Sequence, residues 1–252
     1  YSLGFMYDLG DGVPQDDTEA VRLYRLAAEQ GNARAQSNLG LMYANGRGVP
    51  EDKAEAVRWY RLGAEQGYAI AQTTLGLMYS LGDGVPQDYV EAARWLRLAA
   101  EQGDPRAQYF LGFMYDNGDG VPEDDVEAVR WYRLAAEQGH ADAQTRLGRM
   151  YAVGEGVPED RVLAYMWINL AAAQGNEAAQ GLKDLLEGQM AREQIAEAQR
   201  LSREVDRGAS PRRQLAPSPP PWHPATPSYP ALFHSSDEAS TLREYFWWRM
   251  VR

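Results

Sequence analysis

Cysteine is absent from this sequence of 252 residues, so neither disulfides nor thiolate metal sites hold the fold together. No apolar stretch approaches the roughly 20 residues needed to cross a bilayer, and we therefore expect no membrane span. Basic residues are scarce as well, since 25 Lys and Arg face 36 Asp and Glu. An acidic surface without a clustered basic run repels phosphate, so we predict no nucleic acid partner. We expect a soluble protein that is stabilised by packing, and the sequence leaves its compartment open between cytoplasm, periplasm and exterior.

Catalytic and metal-binding patterns are missing too. The three histidines, His140, His223 and His234, form no helical pair at metal-ligand spacing. There is no nucleophile elbow and no phosphate-binding loop. The segments 8–19 and 116–127 begin and end with acids, but each has glycine at position three and valine at position six, unlike a calcium loop. We therefore expect no catalytic residues, no metal and no cofactor.

What the sequence does contain is a repeat of 36 residues. The dipeptide Leu-Gly recurs without insertion at 3–4, 39–40, 75–76, 111–112 and 147–148. Each copy continues as LGxMY and GxGVPxD, and four copies then carry close variants of EAVRWYRLAAEQG, while the fifth has drifted to LAYMWINLAAAQG. A fixed period of this length is typical of solenoids, in which one hairpin stacks on the next.

The second half of each unit has the signals of an amphipathic helix. Asp52 is a good N-cap, and Glu55 three residues later suggests a capping box. In the fifth copy Leu163 replaces that acid, so we expect a weaker start. Gly67 suits a left-handed C′ position, and we interpret the preceding Glu-Gln as a solvated helix end. We interpret one recurrent aromatic column as core packing; it consists of Trp59, Trp95, Trp131 and Trp167.

The first half of each unit predicts another helix. Asn32, Asp104 and Asn176 are good caps, whereas Tyr68 and His140 are poorer ones. A glycine follows the central leucine of this helix, although glycine in a helix interior costs about 1 kcal/mol relative to alanine. We expect its missing side chain to allow close approach of a neighbouring helix. The GxGVP turn then reverses the chain.

These signals predict an all-α fold, an α-α superhelix or solenoid of antiparallel helix hairpins. We expect a partial repeat at 1–31, full repeats at 32–67, 68–103, 104–139 and 140–175, a divergent capping unit at 176–205 and a proline-rich tail at 206–252. At the N-terminal end Leu3, Met6 and Tyr7 should be poorly covered. The final helix should turn one set of residues inward, namely Ala191, Ile195, Ala198, Ser202 and Val205. In the tail, APSPPPWHP is typical of a linker or docking segment, and we interpret LREYFWWRMVR as a loose end rather than a membrane or partner contact.

The string LGxMYxxGxGVPxDxxEAxRWYRxAAEQGxxxAQ resembles the Sel-one-like repeat, a subfamily of tetratricopeptide-like solenoids. GQMAREQIAEAQRLSREV is similar to the terminal helix of that family, so the resemblance covers residues 1–205. It implies a scaffold or adaptor, often bacterial, that recruits proteins in signalling, envelope or secretion complexes. Some relatives carry cysteine pairs and a β-lactamase-like label, but this chain has neither cysteine nor an S-x-x-K motif. The alternative is a regulatory or recruiting repeat domain of a larger enzyme or of a membrane or envelope protein.

Positions that differ between copies of the first helix fall on one stripe, spaced i, i+4 and i+7. In hairpin solenoids the first helices line the concave side, so we predict a groove there that binds a peptide or helix of a partner protein. We expect the chain itself to be a monomer. An alternative for Leu41, Leu77 and Phe113 is that they fill the contact with the next first helix. We expect Phe110 and Arg146 to be exposed. The predicted contact residues are Arg34, Asn38, Leu41, Ile70, Thr74, Leu77, Arg106, Tyr109, Phe110, Phe113, Asp142, Arg146 and Arg149.

Overall fold

The computed structural model describes residues 1–207, and this part of the chain consists of twelve α-helices without a strand. The first helices of the hairpins are α1 (Ser2–Leu9), α3 (Ala33–Asn45), α5 (Ala69–Leu81), α7 (Pro105–Asn117), α9 (Ala141–Val153) and α11 (Glu177–Glu187). The second helices are α2 (Asp17–Glu29), α4 (Lys53–Glu65), α6 (Tyr89–Glu101), α8 (Asp125–Glu137), α10 (Arg161–Ala173) and α12 (Arg192–Asp206). The predicted all-α fold of 36-residue helix pairs is confirmed. The predictions for the proline-rich segment and the C-terminal aromatic stretch fall outside the described residues.

Each second helix of the five repeats begins at the predicted aspartate. The Asp52 carboxylate accepts the backbone N–H of Glu55 at 2.9 Å. The prediction of a capping box is wrong, however. The Glu55 carboxylate instead accepts a hydrogen bond from Arg58, one helical turn further on, at 2.6 Å. The expected weak start of the fifth copy is also wrong in geometry, since Asp160 accepts the N–H groups of both Val162 and Leu163 at 3.0 Å. The cap therefore does not depend on the acid at the third position.

The first helices follow the predicted order of cap quality. Asn32, Asp104 and Asn176 each accept a backbone N–H at 2.9 Å, whereas Tyr68 supplies no side-chain cap. His140 is the weaker substitute, accepting the N–H of Ala143 through Nδ1 at 3.3 Å. Glycine occupies the left-handed region between each second helix and the next first helix, at Gly31, Gly67, Gly103, Gly139 and Gly175. A Cβ atom at these positions would meet no atom beyond its chain neighbours within 4 Å, so the positive φ, and not close packing, favours glycine there.

Close packing within each hairpin explains the glycine inside the first helix. A Cβ atom at Gly112 would lie 2.8 Å from Cδ1 of Tyr132, and one at Gly148 would lie 2.5 Å from Cγ1 of Ile168. The two helices thus approach closely, as predicted, and an alanine would require the opposing side chain or its helix to shift. The aromatic column is likewise core, since Trp95, Trp131 and Trp167 are buried and Trp59 is half-buried.

The seam, by which we mean the contact between one repeat and the next, is closed by the second glycine of the GxGVP turn. Gly120 has a φ of +68°, and a Cβ atom there would lie 2.1 Å from the carbonyl oxygen of Tyr89 in the preceding repeat. Gly48, Gly84 and Gly156 make the same approach to the previous second helix. The turn glycine therefore also permits stacking, a role that turn chemistry alone does not indicate.

A ladder of glutamines runs through the seams, because the glutamines of the Glu-Gln pairs, which are exposed at helix ends as interpreted, also bond inward. Gln108 in α7 is buried and donates to the carbonyl oxygen of Ala100 in the previous repeat at 3.1 Å. Its own carbonyl accepts from Gln138 at the end of α8 at 2.8 Å. The same arrangement occurs in every full repeat, through Gln36 and Gln66, Gln72 and Gln102, and Gln144 and Gln174. Each ladder unit joins two repeats and both helices of a hairpin.

The two ends of the array differ. At the C-terminal end α12 packs on α10, where Ala198 and Ser202 are buried and the Ser202 hydroxyl donates to the carbonyl of Met166 at 3.2 Å. Ala191 is exposed, contrary to prediction. At the N-terminal end Leu3 is 49% exposed, whereas its equivalent Leu39 is fully buried, so the poor cover predicted for Leu3 is confirmed; Met6 and Tyr7 are half-buried. No helix within residues 1–207 is long and apolar enough to cross a membrane.

Candidate functional site

The open face, which we define as the outward stripe of the first helices α1, α3, α5, α7 and α9, contains most of the predicted contact residues at or near the surface. Its first column alternates in character: Arg34 and Arg106 are exposed, and Ile70 between them is 51% exposed. The fourth member, Asp142, is half-buried and accepts a hydrogen bond from the Asn176 side chain at 2.7 Å. An exposed apolar side chain thus lies between two exposed arginines.

The second column consists of Asn38, Thr74, Phe110 and Arg146, and all four are half-buried. Thr74 is held by its own helix, because its hydroxyl donates to the carbonyl of Ile70 at 2.9 Å. Phe110 leans edge-on against Tyr109, with 5.0 Å between the ring centroids. This column is neither fully exposed, as we expected for Phe110 and Arg146, nor buried inside the stack. Part of each side chain remains accessible to another molecule.

The third column separates into surface and core. Leu77 is only 2% exposed and lies in the core, and Tyr109, at the border of the stripe, is 8% exposed. The prediction that these two residues line an accessible surface is therefore wrong, because neighbouring helices cover them. For Leu77 the alternative interpretation as packing between helices is the correct one. Leu41, Phe113 and Arg149 remain half-buried and belong to the open face.

Repeats four and five carry a cluster of aromatic and charged side chains beside the open face. The Tyr109 ring stacks on the His140 ring with 4.8 Å between centroids. The Arg146 guanidinium lies 5.4 Å from the centre of the Phe113 ring and 3.9 Å from the carboxylate of Asp116. Asp116 also accepts the hydroxyl of Tyr132 at 3.1 Å. Burial raises the pKa of Tyr132 well above its ordinary value, so this phenol remains a donor.

Sequence reasoning missed apolar residues at the two ends of the stripe. Phe5 belongs to the column of Leu41 and Phe113, exactly one period earlier than Leu41, and is 42% exposed. Leu9 and Val153 extend the stripe by another helical turn and are also exposed. The 36-residue register was the signal for Phe5, since it identifies the column without any structure. The apolar part of the open face is therefore longer than predicted.

A cleft and the distribution of possible metal ligands are two further features of residues 1–207. Within residues 1–207 no group of three His, Asp or Glu side chains is arranged to hold a metal ion. A cleft of about 530 Å³ lies between the ends of α8, α10 and α12, where Leu170 and Val205 meet Gln144 and Gln174. The amides of these two glutamines are bonded within the ladder.

Comparison with known proteins agrees with the repeat register. A family model described as the Sel1 repeat matches residues 1–32, 33–68, 69–104, 105–140 and 141–176. Among solved structures, a protective antigen of uropathogenic Escherichia coli with an SLR fold is 40% identical, with a TM-score of 0.73 over 83% of this chain. The match spans only 45% of the Escherichia coli chain.

A second similar structure is of comparable length. A Sel1 repeat protein from Oxalobacter formigenes is 38% identical with a TM-score of 0.70, over 81% of this chain and 82% of that chain. A comparison with curated protein sequences gave no match.

Proposed function

Because the chain belongs to the Sel1 repeat family, we propose that it is a non-catalytic scaffold that binds a peptide or helix of a partner protein along the open face of its first helices. Sel1 repeats typically mediate protein interactions. The observation that carries the proposal is the division of each first helix into two stripes. The packed stripe is nearly identical in every copy, whereas the combination of residues on the open stripe changes from copy to copy.

Physical chemistry supports binding at this face. Phe110 and Phe113 present partly accessible aromatic rings, and Ile70 and Phe5 are exposed, so a partner that covers them removes apolar surface from water. Arginine and aromatic side chains are enriched among residues that dominate binding energy. The seams hold the helices that carry these residues in fixed register. A rigid surface loses little conformational entropy when it binds.

The proposal extends to organisation. We propose that residues 1–205 form one repeat domain with a capping unit at 176–205, that this domain acts as a monomer, and that residues 206–252 are a separate tail. The chain spans 45% of the Escherichia coli relative, which supports a second candidate, a recruiting repeat domain within a larger protein. Both candidates use the same binding face.

Selection of ligands tests the proposal. A random peptide library displayed on phage would be selected against the full chain, and the enriched peptides would be titrated by fluorescence anisotropy. We expect Phe110→Ala and Arg146→Glu each to raise Kd by about tenfold, the loss typical of a residue worth roughly 1.4 kcal/mol. The matched control is Leu62→Ala on the outer side of α4, where an exposed leucine lies away from the open face.

Two results would decide against the open face. Enriched peptides that bind Phe110→Ala and Arg146→Glu as tightly as the original chain, with helicity unchanged in circular dichroism, would place the binding surface elsewhere. A loss caused by Leu62→Ala alone would assign binding to the second helices.

A further inference from the structure

The arginines and lysine of the five repeats are unevenly paired. Eight of these cations contact a carboxylate within 4 Å, namely Arg22, Arg47, Lys53, Arg58, Arg94, Arg130, Arg146 and Arg161. Four more donate to a tyrosine hydroxyl of the next repeat, namely Arg25, Arg61, Arg97 and Arg133. The arginines and lysine of the first group thus have their charge paired with a carboxylate, whereas each arginine of the second group has a donor bonded to a neutral hydroxyl.

Three arginines of the repeats have neither kind of partner among the described residues: Arg34, Arg106 and Arg149. All three lie on the open face, on α3, α7 and α9. Arg34 and Arg106 are exposed and occupy the same column, two repeats apart, on either side of Ile70. Over residues 1–205, 32 acidic residues outnumber 19 basic ones, so acids are in excess as partners. That the three arginines without either kind of partner lie on one stripe therefore indicates a role for this stripe.

The acids beside this stripe do not neutralise the charge of its three arginines. Asp142 accepts from the Asn176 amide at 2.7 Å, and Asp116 accepts from Tyr132 while it lies 3.9 Å from Arg146. Both carboxylates are therefore engaged within the fold. The open face combines available guanidinium groups with exposed apolar side chains, and an anionic ligand with apolar groups matches it. Electrostatic complementarity of this kind sets partner choice and the rate of association more than raw affinity.

Resting on the proposed function, we propose that the partner segment is an extended acidic peptide in which two carboxylates flank an apolar residue. Packed helices are separated by about 10 Å, and an extended chain advances roughly 3.3 Å per residue, so about three residues cross each repeat. The side chain opposite Ile70 is then apolar, and the side chains opposite Arg34 and Arg106 are carboxylates. The recognised pattern is acid-x-x-apolar-x-x-acid, and Arg149 extends the attraction toward repeat five.

Synthetic peptides test the pattern directly. The probe is a fluorescein-labelled peptide of serine and glycine in which two glutamates flank a leucine, with two residues on each side of the leucine. Matched peptides replace both glutamates by lysine, or shorten each gap to one residue. We expect the full chain to bind the first peptide about tenfold more tightly than the others, by anisotropy in low salt, and to lose that preference as salt is raised.

Variants assign the preference to particular residues. Arg34→Gln combined with Arg106→Gln should weaken binding of the glutamate peptide by about tenfold, since two ion pairs and their oriented hydrogen bonds are lost together. The matched control, Arg22→Gln combined with Arg94→Gln, removes the same charge from the outer side of α2 and α6 and should leave binding unchanged.

The outcomes separate this inference from the function on which it rests. Equal binding of the glutamate and lysine peptides, or no binding of the glutamate peptide at millimolar concentration, would overturn the acidic pattern. If selected library peptides still lost affinity with Phe110→Ala, the scaffold function would stand without it. Displacement of the glutamate peptide by single-stranded DNA of equal charge at equal concentration would show a general anion site, and would also overturn the peptide assignment.

Discussion

On the hairpin of α7 and α8, Gly120 lies in the seam and Phe110 lies on the open face, yet the two regions tolerate change very differently. The space beside Gly120 is too small for a single methyl group, and every complete copy of the turn has glycine there. Phe110 is half-buried, and its column holds an asparagine, a threonine, a phenylalanine and an arginine. The repeated glycine therefore marks a contact between helices, whereas the varied column of Phe110 lies where side chains reach the surface.

The largest effect should come from filling the seam. Gly120→Ala adds a Cβ that would lie 2.1 Å from the Tyr89 carbonyl oxygen, at a φ of +68° that alanine disfavours. We expect a loss of at least about 3 kcal/mol in the free energy of unfolding, because strain in the left-handed region adds to the steric clash. Urea denaturation followed by circular dichroism would measure it.

The chain contains its own control for this substitution. Gly12 occupies the same turn position in the first repeat and has a φ of +73°. The atom nearest to an added Cβ would be Cε of Met6 at 3.3 Å, since no earlier second helix lies against Gly12. Gly12→Ala should therefore cost only the backbone strain, about 1–2 kcal/mol. Equal losses at the two positions would mean that the turn conformation, and not the stack, requires glycine.

The glutamine ladder gives a smaller test of the same seam. Gln108→Met keeps the length of the buried side chain but removes the donor to Ala100 and the acceptor for Gln138. We expect destabilisation by about 1–2 kcal/mol, the usual cost of breaking a buried hydrogen-bond network. Gln180 occupies the equivalent column in the capping unit, where it is exposed and bonds only to Asp184 at 3.2 Å. Gln180→Met should change stability by less than about 0.5 kcal/mol, and a comparable loss at both sites would contradict a role for the ladder.

The comparison also explains which features the sequence reveals. The helices were predictable because their signals are local: aspartate caps, glycine C′ residues and apolar stripes all act within one or two turns. The stack followed from the fixed period. The close contact of Gly120 with Tyr89 and the bond from Gln138 to Gln108 join residues about thirty positions apart. These contacts were not predicted, because turn and helix-end chemistry already explained the presence of each residue.

Prediction of the open face succeeded only at the level of the stripe. Helical spacing gives the direction of a side chain from its own helix, and it selected Arg34, Ile70 and Arg106 correctly as exposed positions. Helical spacing does not indicate how large the groups are that lie opposite that side chain. Leu77 and Tyr109 point in similar directions to their neighbours but are covered by adjacent helices, and that cover depends on packing that spacing does not report.

One pair of seam positions varies from copy to copy, and it sharpens the comparison. The first residue of the second helix meets the turn of the following repeat, where Asp17 bonds to Arg47 at 2.6 Å and Lys53 bonds to Asp83 at 2.8 Å with reversed charge. The corresponding pair in repeats four and five is Asp125 and Glu155, two acids. A seam can thus vary in charge where its side chains reach solvent, although its backbone contact stays fixed.

The smallest predicted effect follows from the opposite pKa shifts of Asp17 and Asp125, which occupy the same place three repeats apart. The hydrogen bond from Arg47 is the main cause that lowers the pKa of Asp17, so the stabilisation from its carboxylate is present above the unfolded pKa and is lost as pH falls through the lowered value. Burial, followed by the charges of Asp116, Glu123 and Asp124, raises the pKa of Asp125. The stabilisation from the protonated carboxyl of Asp125 is therefore present below the unfolded pKa and is lost as pH rises through the raised value.

Substitution by asparagine should separate the two. Both carboxylates lie at a helix N-terminus, so the helix dipole contributes similarly to each and cancels in their difference. At pH 7 we expect Asp17→Asn to cost about 1 kcal/mol more than Asp125→Asn, and the difference to shrink as the pH falls through about 4, where the unperturbed carboxyl titrates. Urea denaturation of both variants at several pH values measures it. Equal losses at every pH would mean that the ion pair between Asp17 and Arg47 does not stabilise the seam.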